Sequence, residues 1–387
     1  MEDIIEKTLL LNRKPIVQQQ HFISIMLDRV AEAIKRQDYR GAAKLLKPLI
    51  DKDGKNPWVR FYAGRIQEGL GKREAAEKIY LYLLPKTTNP KLIAQIRKGI
   101  SRLEMAARSQ KEQAIAKAVT SQGGDNLGVL ILEPIAPEVK QEAAKAFGKI
   151  VNLDAYTARL RLPTRGWRLY RPGKMGELIY YVSRLQQVNI PSFCFPLSQI
   201  EAIQVLEVHY FKMLNSQILV RCKSSAGSEG EFSFTWPEVT QRVIGRIPLF
   251  ESVVVFDARR KLQRKTQKQD SVPFCDLHLP QRNCILRFCD RTYQFQKGVT
   301  FATKPTSLPL GERETASKNW HYLTEFLDNT LSKCPVRDDF TIFAETAIDF
   351  RETLDRLKSR IDLERRKPSL WDQAFQLYSG LHFWRDR

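Results

Sequence analysis

The sequence contains no apolar run long enough to cross a lipid bilayer. Apolar runs such as Val129–Leu132 and Val253–Phe256 fall far short of the roughly 20 residues that a membrane-spanning helix needs. The N-terminal segment carries Glu2, Asp3 and Glu6, whereas the start of a secretion signal is basic. We therefore expect a cytoplasmic protein that is not exported and has no transmembrane segment.

Cysteine is sparse, and its six positions lack the dense, even spacing of a secreted disulfide framework. Four soft metal ligands nevertheless fall close together, and such a group could indicate a zinc site: Cys275, His278, Cys284 and Cys289. The two members of each neighbouring pair are an odd number of positions apart. On continuous strands they therefore point to opposite faces of a sheet. We predict buried core residues here and no metal site.

The short motifs of common catalytic and nucleotide-binding sites are also missing. The sequence has no Gly-x-Ser-x-Gly nucleophile elbow, no phosphate-binding Gly-x-x-x-x-Gly-Lys-Ser/Thr loop and no dinucleotide fingerprint. Its five histidines are scattered, so none can be paired with a catalytic partner. We predict a protein that is not an enzyme and that holds no cofactor.

The chain is strongly basic, with a formal net charge of +20. The surplus of lysine and arginine lies mainly in residues 1–126 and 212–311. A positive surface potential attracts polyanions, which include nucleic acids, anionic membrane surfaces and acidic proteins. The total charge does not distinguish among these partners.

An internal echo with a spacing of 34 residues is the strongest positive signal in the sequence. Residues 30–49 correspond to residues 64–83, and the small residue Ala42 corresponds to Ala76. A period of this length is the size of one helix–turn–helix unit whose small residues let paired helices pack closely. The spacing therefore predicts an N-terminal array of helical hairpins.

Four residues of the second unit carry a resemblance to a known family. Gly64, Gly71, Ala76 and Tyr80 match the small, turn, small and aromatic positions of the tetratricopeptide repeat. Residues 20–105 thus resemble the tetratricopeptide-repeat superfamily. The resemblance implies a partner-binding scaffold with a groove lined by the first helix of each repeat.

The candidate groove residues lie on or beside those first helices: Arg29, Lys35, Arg60, Arg65 and Gln67. The family's clamp for a peptide carboxylate uses lysine and asparagine on these helices. The corresponding positions of this chain hold other residues: Leu27, Ala31, Phe61 and Arg65. The resemblance therefore does not extend to recognition of a C-terminal acidic peptide.

Beyond the array the pattern changes to mixed α and β structure after a Gly-rich linker. We predict an α+β multidomain protein with these parts: 1–120 helical array, 121–126 linker, 127–200 small α/β domain, 201–335 antiparallel β domain with a closing helix, and 336–387 C-terminal helices. The β-α-β-α-β order of the small domain suggests a ferredoxin-like layer. The β domain with its closing helix resembles bacterial pleckstrin-homology-like domains. The whole arrangement resembles uncharacterised repeat-containing proteins of cyanobacteria.

Two basic segments favour an alternative function in nucleic-acid binding. The first interleaves aromatic and basic side chains that can stack on bases and contact phosphates: Arg165, Trp167, Arg168, Tyr170, Arg171 and Lys174. The alternative for this segment is a strand anchored by Trp167 with solvated arginines outside. The second segment is a predicted solvated loop at 259–268 that would bind polyanions by charge: Arg259, Arg260, Lys261, Arg264, Lys265 and Lys268.

The C-terminal segment from Trp371 to Trp384 is rich in aromatic residues. It could dock on the protein's own core, dip into a membrane interface as a peripheral contact, or occupy a partner's groove. Docking on the core is favoured, because the segment lacks a strongly basic face. The leading hypothesis for the whole chain is a non-enzymatic adaptor that binds a protein partner.

Overall fold

The computed structural model describes residues 22–224, 227–256, 262–301, 316–365 and 368–385. The chain divides into two compact units, Met1–Ala114 and Ile115–Arg387. The first unit is a helical array, and the second combines two sheets with C-terminal helices. The predicted mixture of α and β structure is confirmed, whereas the detail of both sheets differs from the prediction.

The described part of the first unit is helical, with short turns between its helices: α1 (residues 22–35), α2 (Tyr39–Asp53), α3 (Pro57–Gly69), α4 (Arg73–Leu83) and α5 (Pro90–Val119). Side-chain caps start two of these helices. Asp38 accepts a hydrogen bond from the Gly41 amide, and Asn56 accepts one from the Trp58 amide. The turn before α4 contains Gly71 at φ 77°, a left-handed conformation that favours glycine.

Tyr80 holds three helices of the array together. Its ring on α4 lies between Gly64 of α3 and Gly99 of α5, where an added Cβ atom would come within 2.7 Å of the ring in each case. Ala76, one turn before Tyr80, is completely buried. The small and aromatic positions of the 34-residue echo are therefore contact points between helices.

A polar cluster joins the same three helices beside the Tyr80 ring. The Tyr80 hydroxyl donates to Glu68 Oε2 over 2.7 Å, and Arg102 on α5 donates to both Glu68 oxygens over 2.7 and 3.0 Å. Burial alone would raise the pKa of Glu68, but the hydrogen bonds from Arg102 and Tyr80 outweigh it and lower that pKa. The carboxylate is thus held in its charged form.

The second unit begins with a small sheet and its helices: β1 (Leu127–Leu132), α6 (Lys140–Val151), α7 (Ala155–Arg161), β2 (Arg168–Lys174), α8 (Met175–Gln186), β3 (Ser192–Pro196) and α9 (Leu197–Glu201). The strand order is β2-β1-β3, and both pairings are antiparallel. A ferredoxin-like sheet has four strands. The ferredoxin-like prediction is corrected to a three-stranded antiparallel sheet.

In the described part of the chain the large sheet contains seven strands: β4 (Gln204–Leu214), β5 (Gln217–Ser224), β6 (Glu229–Phe234), β7 (Gln241–Phe256), β8 (Leu262–Leu279), β9 (Cys284–Cys289) and β10 (Val336–Arg337). Their order is β10-β7-β8-β9-β4-β5-β6. Four pairings are antiparallel, but β4 pairs with β9 and β10 pairs with β7 in parallel. The sheet is therefore mixed, where the sequence predicted an antiparallel one.

Helices cover both faces of this sheet: α10 (Ala316–Thr330), α11 (Phe340–Ala347), α12 (Arg351–Leu354) and α13 (Leu370–Arg385). Leu323 and Leu327 of α10 pack into one core, and Phe375 and Tyr378 of α13 pack into the other with residues of both sheets. The predicted docking of the aromatic C-terminal segment on the protein's own core is confirmed. Among the described residues, no helix has the length and apolar character needed to cross a membrane.

Candidate functional site

A groove with a volume of about 970 Å³ lies in the helical unit. Three odd-numbered helices contribute side chains to it: Ile23, Ser24, Leu27, Asp28, Ala31, Ile34 and Lys35 from α1, Trp58, Phe61, Tyr62 and Arg65 from α3, and Lys91 and Gln95 from α5, together with Asp53 and Asn56. These helices are the first members of successive hairpins. The groove is thus lined mainly by the first helix of each hairpin.

The floor of the groove is aromatic. The Trp58 and Phe61 rings meet edge to face with centroids 6.0 Å apart, and the Phe61 and Tyr62 centroids are 5.5 Å apart. Phe61 also contacts Tyr80, so the floor rests on the side chain that joins α3 to α5. Aromatic surfaces of this kind bury large apolar area against a ligand and lose little conformational entropy.

Charged side chains stand around that floor. Burial raises the pKa of Tyr62, the Asp28 carboxylate raises it further, and the Arg65 guanidinium opposes both effects. Asp28 and Arg65 are therefore close enough to act on one phenol. With Lys35 and Lys91 the groove carries three cations against the two carboxylates of Asp28 and Asp53. It can pack apolar side chains and pair with charges of either sign, with a bias toward anions.

The five candidate groove residues do not all lie in the groove. Lys35 and Arg65 line it. Arg60 instead donates from Nε to the Gly54 carbonyl over 2.8 Å, and its guanidinium lies over the Tyr82 ring. Arg29 and Gln67 are not among the lining residues.

Sequence reasoning missed most of the groove as a binding surface. All four positions that correspond to the family's carboxylate clamp line it, including Leu27, Ala31 and Phe61. Leu27, Ala31 and Phe61 were not candidates because they are apolar, whereas the candidates were chosen as polar or charged residues. The available signal was the spacing of Trp58, Phe61, Tyr62 and Arg65 at helical intervals along α3.

The basic-aromatic segment of the small sheet is bonded within its own unit. Trp167 stacks on the His382 ring of α13 at 3.8 Å, and Tyr170 contacts the Phe147 ring. Three cations of the segment have internal partners: Arg168 donates to the Leu160 carbonyl, Arg171 pairs with Glu177 and Lys174 pairs with Asp125. Arg165 is exposed. This is the arrangement of a strand anchored by Trp167.

The second basic segment is not a loop where the structure describes it. Strand β8 begins at Leu262, so Arg264, Lys265 and Lys268 lie on a strand paired with β7. Arg259, Arg260 and Lys261 lie outside the described residues. The predicted loop at 259–268 is corrected for residues 262–268, because backbone pairing with β7 sustains a strand whose side chains are polar.

The group of four soft ligands is divided between the faces of the large sheet. Cys275 and Cys284 belong to the core under α10, whereas Cys289 belongs to the core under α13. His278 Nε2 lies 2.9 Å from Ser379 Oγ on α13. The predicted separation onto opposite faces is confirmed. Burial raises the pKa of the Cys275 and Cys284 thiols to about 12, which disfavours the thiolate that zinc requires.

His278 belongs to a buried polar cluster. Asp276 accepts hydrogen bonds from Arg287 over 2.9 and 2.7 Å and from the Ser379 hydroxyl over 2.6 Å. Since the single Ser379 proton goes to Asp276, His278 donates to the hydroxyl through Nε2. In a hydrolase triad the histidine lies between the serine and the carboxylate. Here Ser379 lies between His278 and Asp276, so the residues are not in the order of a triad. The cluster fastens α13 to β8 and β9.

Comparisons with known proteins returned no relative. No protein-family model, no curated protein and no solved structure matches the chain.

Proposed function

We propose that this protein is a non-enzymatic adaptor that holds a segment of a protein partner in the groove of its helical unit. The observation that carries the proposal is the combination of an aromatic floor and a charged rim in one groove of about 970 Å³. A volume of that size is at the upper end of small-ligand pockets. A peptide segment can fill the whole length of the groove, because it carries several side chains in a row.

The chemistry of the groove indicates which segment fits. Apolar or aromatic anchor side chains would pack on Trp58, Phe61 and Tyr62, as in other interfaces where a few aromatic residues supply most of the affinity. Acidic side chains of the partner would approach Arg65, Lys35 and Lys91. The second unit would provide further contact surface for the adaptor.

A displayed library of random peptides tests this function directly. Peptides selected on the wild-type protein should be enriched in apolar residues next to Asp or Glu. The charge reversal Arg65→Glu should weaken their binding at least about tenfold, or about 1.4 kcal/mol, because it puts a repelling charge beside the aromatic floor. Titration calorimetry with a selected peptide gives the measurement.

Arg40→Glu is the matched control, because it makes the same charge change on an exposed residue of α2 outside the groove lining. It should leave peptide affinity unchanged. A library that yields no enriched peptide, or peptides that bind the Arg65→Glu protein as well as the wild type, would reject the proposed function.

A further inference from the structure

Strands β7 and β8 extend beyond the rest of the large sheet as a two-stranded ribbon. Within the described chain, pairing to a third strand ends at Val243 on β7 and at Phe274 on β8. The two strands remain paired with each other as far as Phe256 and Leu262. The seven pairs from Phe250↔Lys268 to Phe256↔Leu262 span about 20 Å, at about 3.3 Å per residue. We call residues 250–256 and 262–268 the arm.

The arm is exposed throughout its described side chains. Ile247 and Val272, just before it, still belong to a buried core. Beyond them Phe250 is 45%, Val254 58% and Leu262 67% exposed. The cations Arg264, Lys265 and Lys268 are exposed as well. The arm thus contributes nothing to a described core, and its sequence is free to serve a surface function.

The register assigns these residues to two faces. Val254 pairs with Arg264 and Phe250 pairs with Lys268, so both pairs share one face with Leu262. Lys265 lies on the opposite face, together with the exposed Glu251. Strand β8 therefore presents cations on both faces of the ribbon, and on one face they lie beside the apolar residues Phe250, Val254 and Leu262.

We infer that the arm is a DNA-binding element that lies in the major groove of a B-form duplex. That groove is about 12 Å wide and admits a two-stranded β-ribbon. The phosphates on either side of the groove attract the cations of both faces. The apolar residues of one face contact the base edges, where thymine presents a methyl group. The +20 net charge of the chain adds a long-range attraction to the polyanion.

The shape of the arm favours this ligand over an anionic membrane. A two-stranded ribbon fits the width of the major groove, whereas a flat membrane surface offers no matching recess. Double-stranded RNA fits less well, since the major groove of an A-form helix is deep and narrow. This binding element is separate from the peptide groove, and either one can fail without the other.

Fluorescence anisotropy with a DNA duplex of roughly 20 base pairs tests the inference on the full chain. The wild type should bind, and its affinity should fall steeply as salt rises from about 50 to about 200 mM. The double variant Arg264→Ala/Lys268→Ala should bind at least about tenfold more weakly and should lower the log–log salt slope by about 2, one for each lost phosphate contact.

Lys44→Ala/Lys47→Ala is the matched control, because it removes the same charge from exposed positions on α2. Its affinity should stay within about twofold of the wild type, and the charge-preserving variant Arg264→Lys/Lys268→Arg should also bind. Circular dichroism verifies that each variant is folded. No binding to DNA at low salt, equal loss in the control, or binding only to an RNA duplex or to phosphatidylserine vesicles would overturn the inference.

Discussion

At the scale of single residues, Glu68 and Arg102 form a charged contact that joins α3 to α5 through both carboxylate oxygens. The two residues are 34 positions apart, which is the period of the internal echo. Their side chains are 18% and 35% exposed, so the pair is partly shielded from water. The period could be read from the sequence. The ion pair could not, because the echo aligns helices without specifying which of their polar side chains meet.

The substitution Glu68→Gln should destabilise the helical unit by about 1–3 kcal/mol near neutral pH, because it weakens charge-assisted hydrogen bonds from Arg102 and Tyr80. The pKa of Glu68 is lower in the folded chain than its unfolded value of about 4.3. The stabilisation is therefore fully present above that value and is lost as the pH falls through the folded pKa.

Urea unfolding of the wild type and the variant at neutral and acidic pH gives the measurement. The difference between the two proteins should be largest near pH 7 and should shrink below about pH 4. Glu104→Gln, at an exposed position of α5, should leave the free energy of unfolding unchanged at both neutral and acidic pH. A pH-independent difference would mean that the charge of Glu68 plays no part.

At the scale of secondary-structure elements, the features that depend on close packing between helices could be predicted from the sequence. The positions of Gly64, Ala76 and Tyr80 follow from helix contacts that repeat along the chain, so the period predicts them. Strand β8 is different: its outer half has polar side chains, and backbone pairing with β7 sustains it. Side-chain patterns therefore predicted a loop there. The parallel pairing of β4 with β9 joins distant segments and has no local signal.

The substitution Gly99→Ala tests the packing of Tyr80. In an exposed helix the change from glycine to alanine would stabilise by about 1 kcal/mol. Here the new methyl group would lie 2.7 Å from the Tyr80 ring, so we expect a destabilisation of about 1–3 kcal/mol instead. Chemical denaturation measures the sign directly.

A Tyr80→Ala background provides the control for this prediction. With the ring removed, Gly99→Ala should become neutral or stabilising, and a double-mutant cycle should give a coupling free energy of at least about 1 kcal/mol. Additive effects would show that the glycine does not act through Tyr80.

At the scale of the whole molecule, the chain contains two units with separate hydrophobic cores. The cores around Val30 and around Tyr80 are built from residues of the first unit alone. The cores on either side of the large sheet are built from the second unit alone. The composition change near residue 120 predicted a boundary between helical and mixed structure, whereas the contacts divide the chain at Ala114, inside α5.

Separate cores predict two unfolding transitions, because cooperative unfolding follows shared buried contacts. Asp276→Asn provides a probe for the second unit. The side chains of Asp276 and Arg287 are 0% and 1% exposed. Removing the carboxylate therefore leaves a buried cation without its counter-charge, which should lower the free energy of unfolding by about 3–5 kcal/mol. Glu68→Gln provides the corresponding probe for the first unit.

Scanning calorimetry of the full chain should therefore resolve two heat-absorption peaks. Asp276→Asn should lower the midpoint of one peak and leave the other in place, and Glu68→Gln should do the reverse. Helix α5 crosses the boundary, so the alternative outcome is a single transition of both units. In that case both variants would lower a single common midpoint, and the peptide groove and the arm could then influence each other through one folding equilibrium. Two independent midpoints would mean that the units bind and unfold separately.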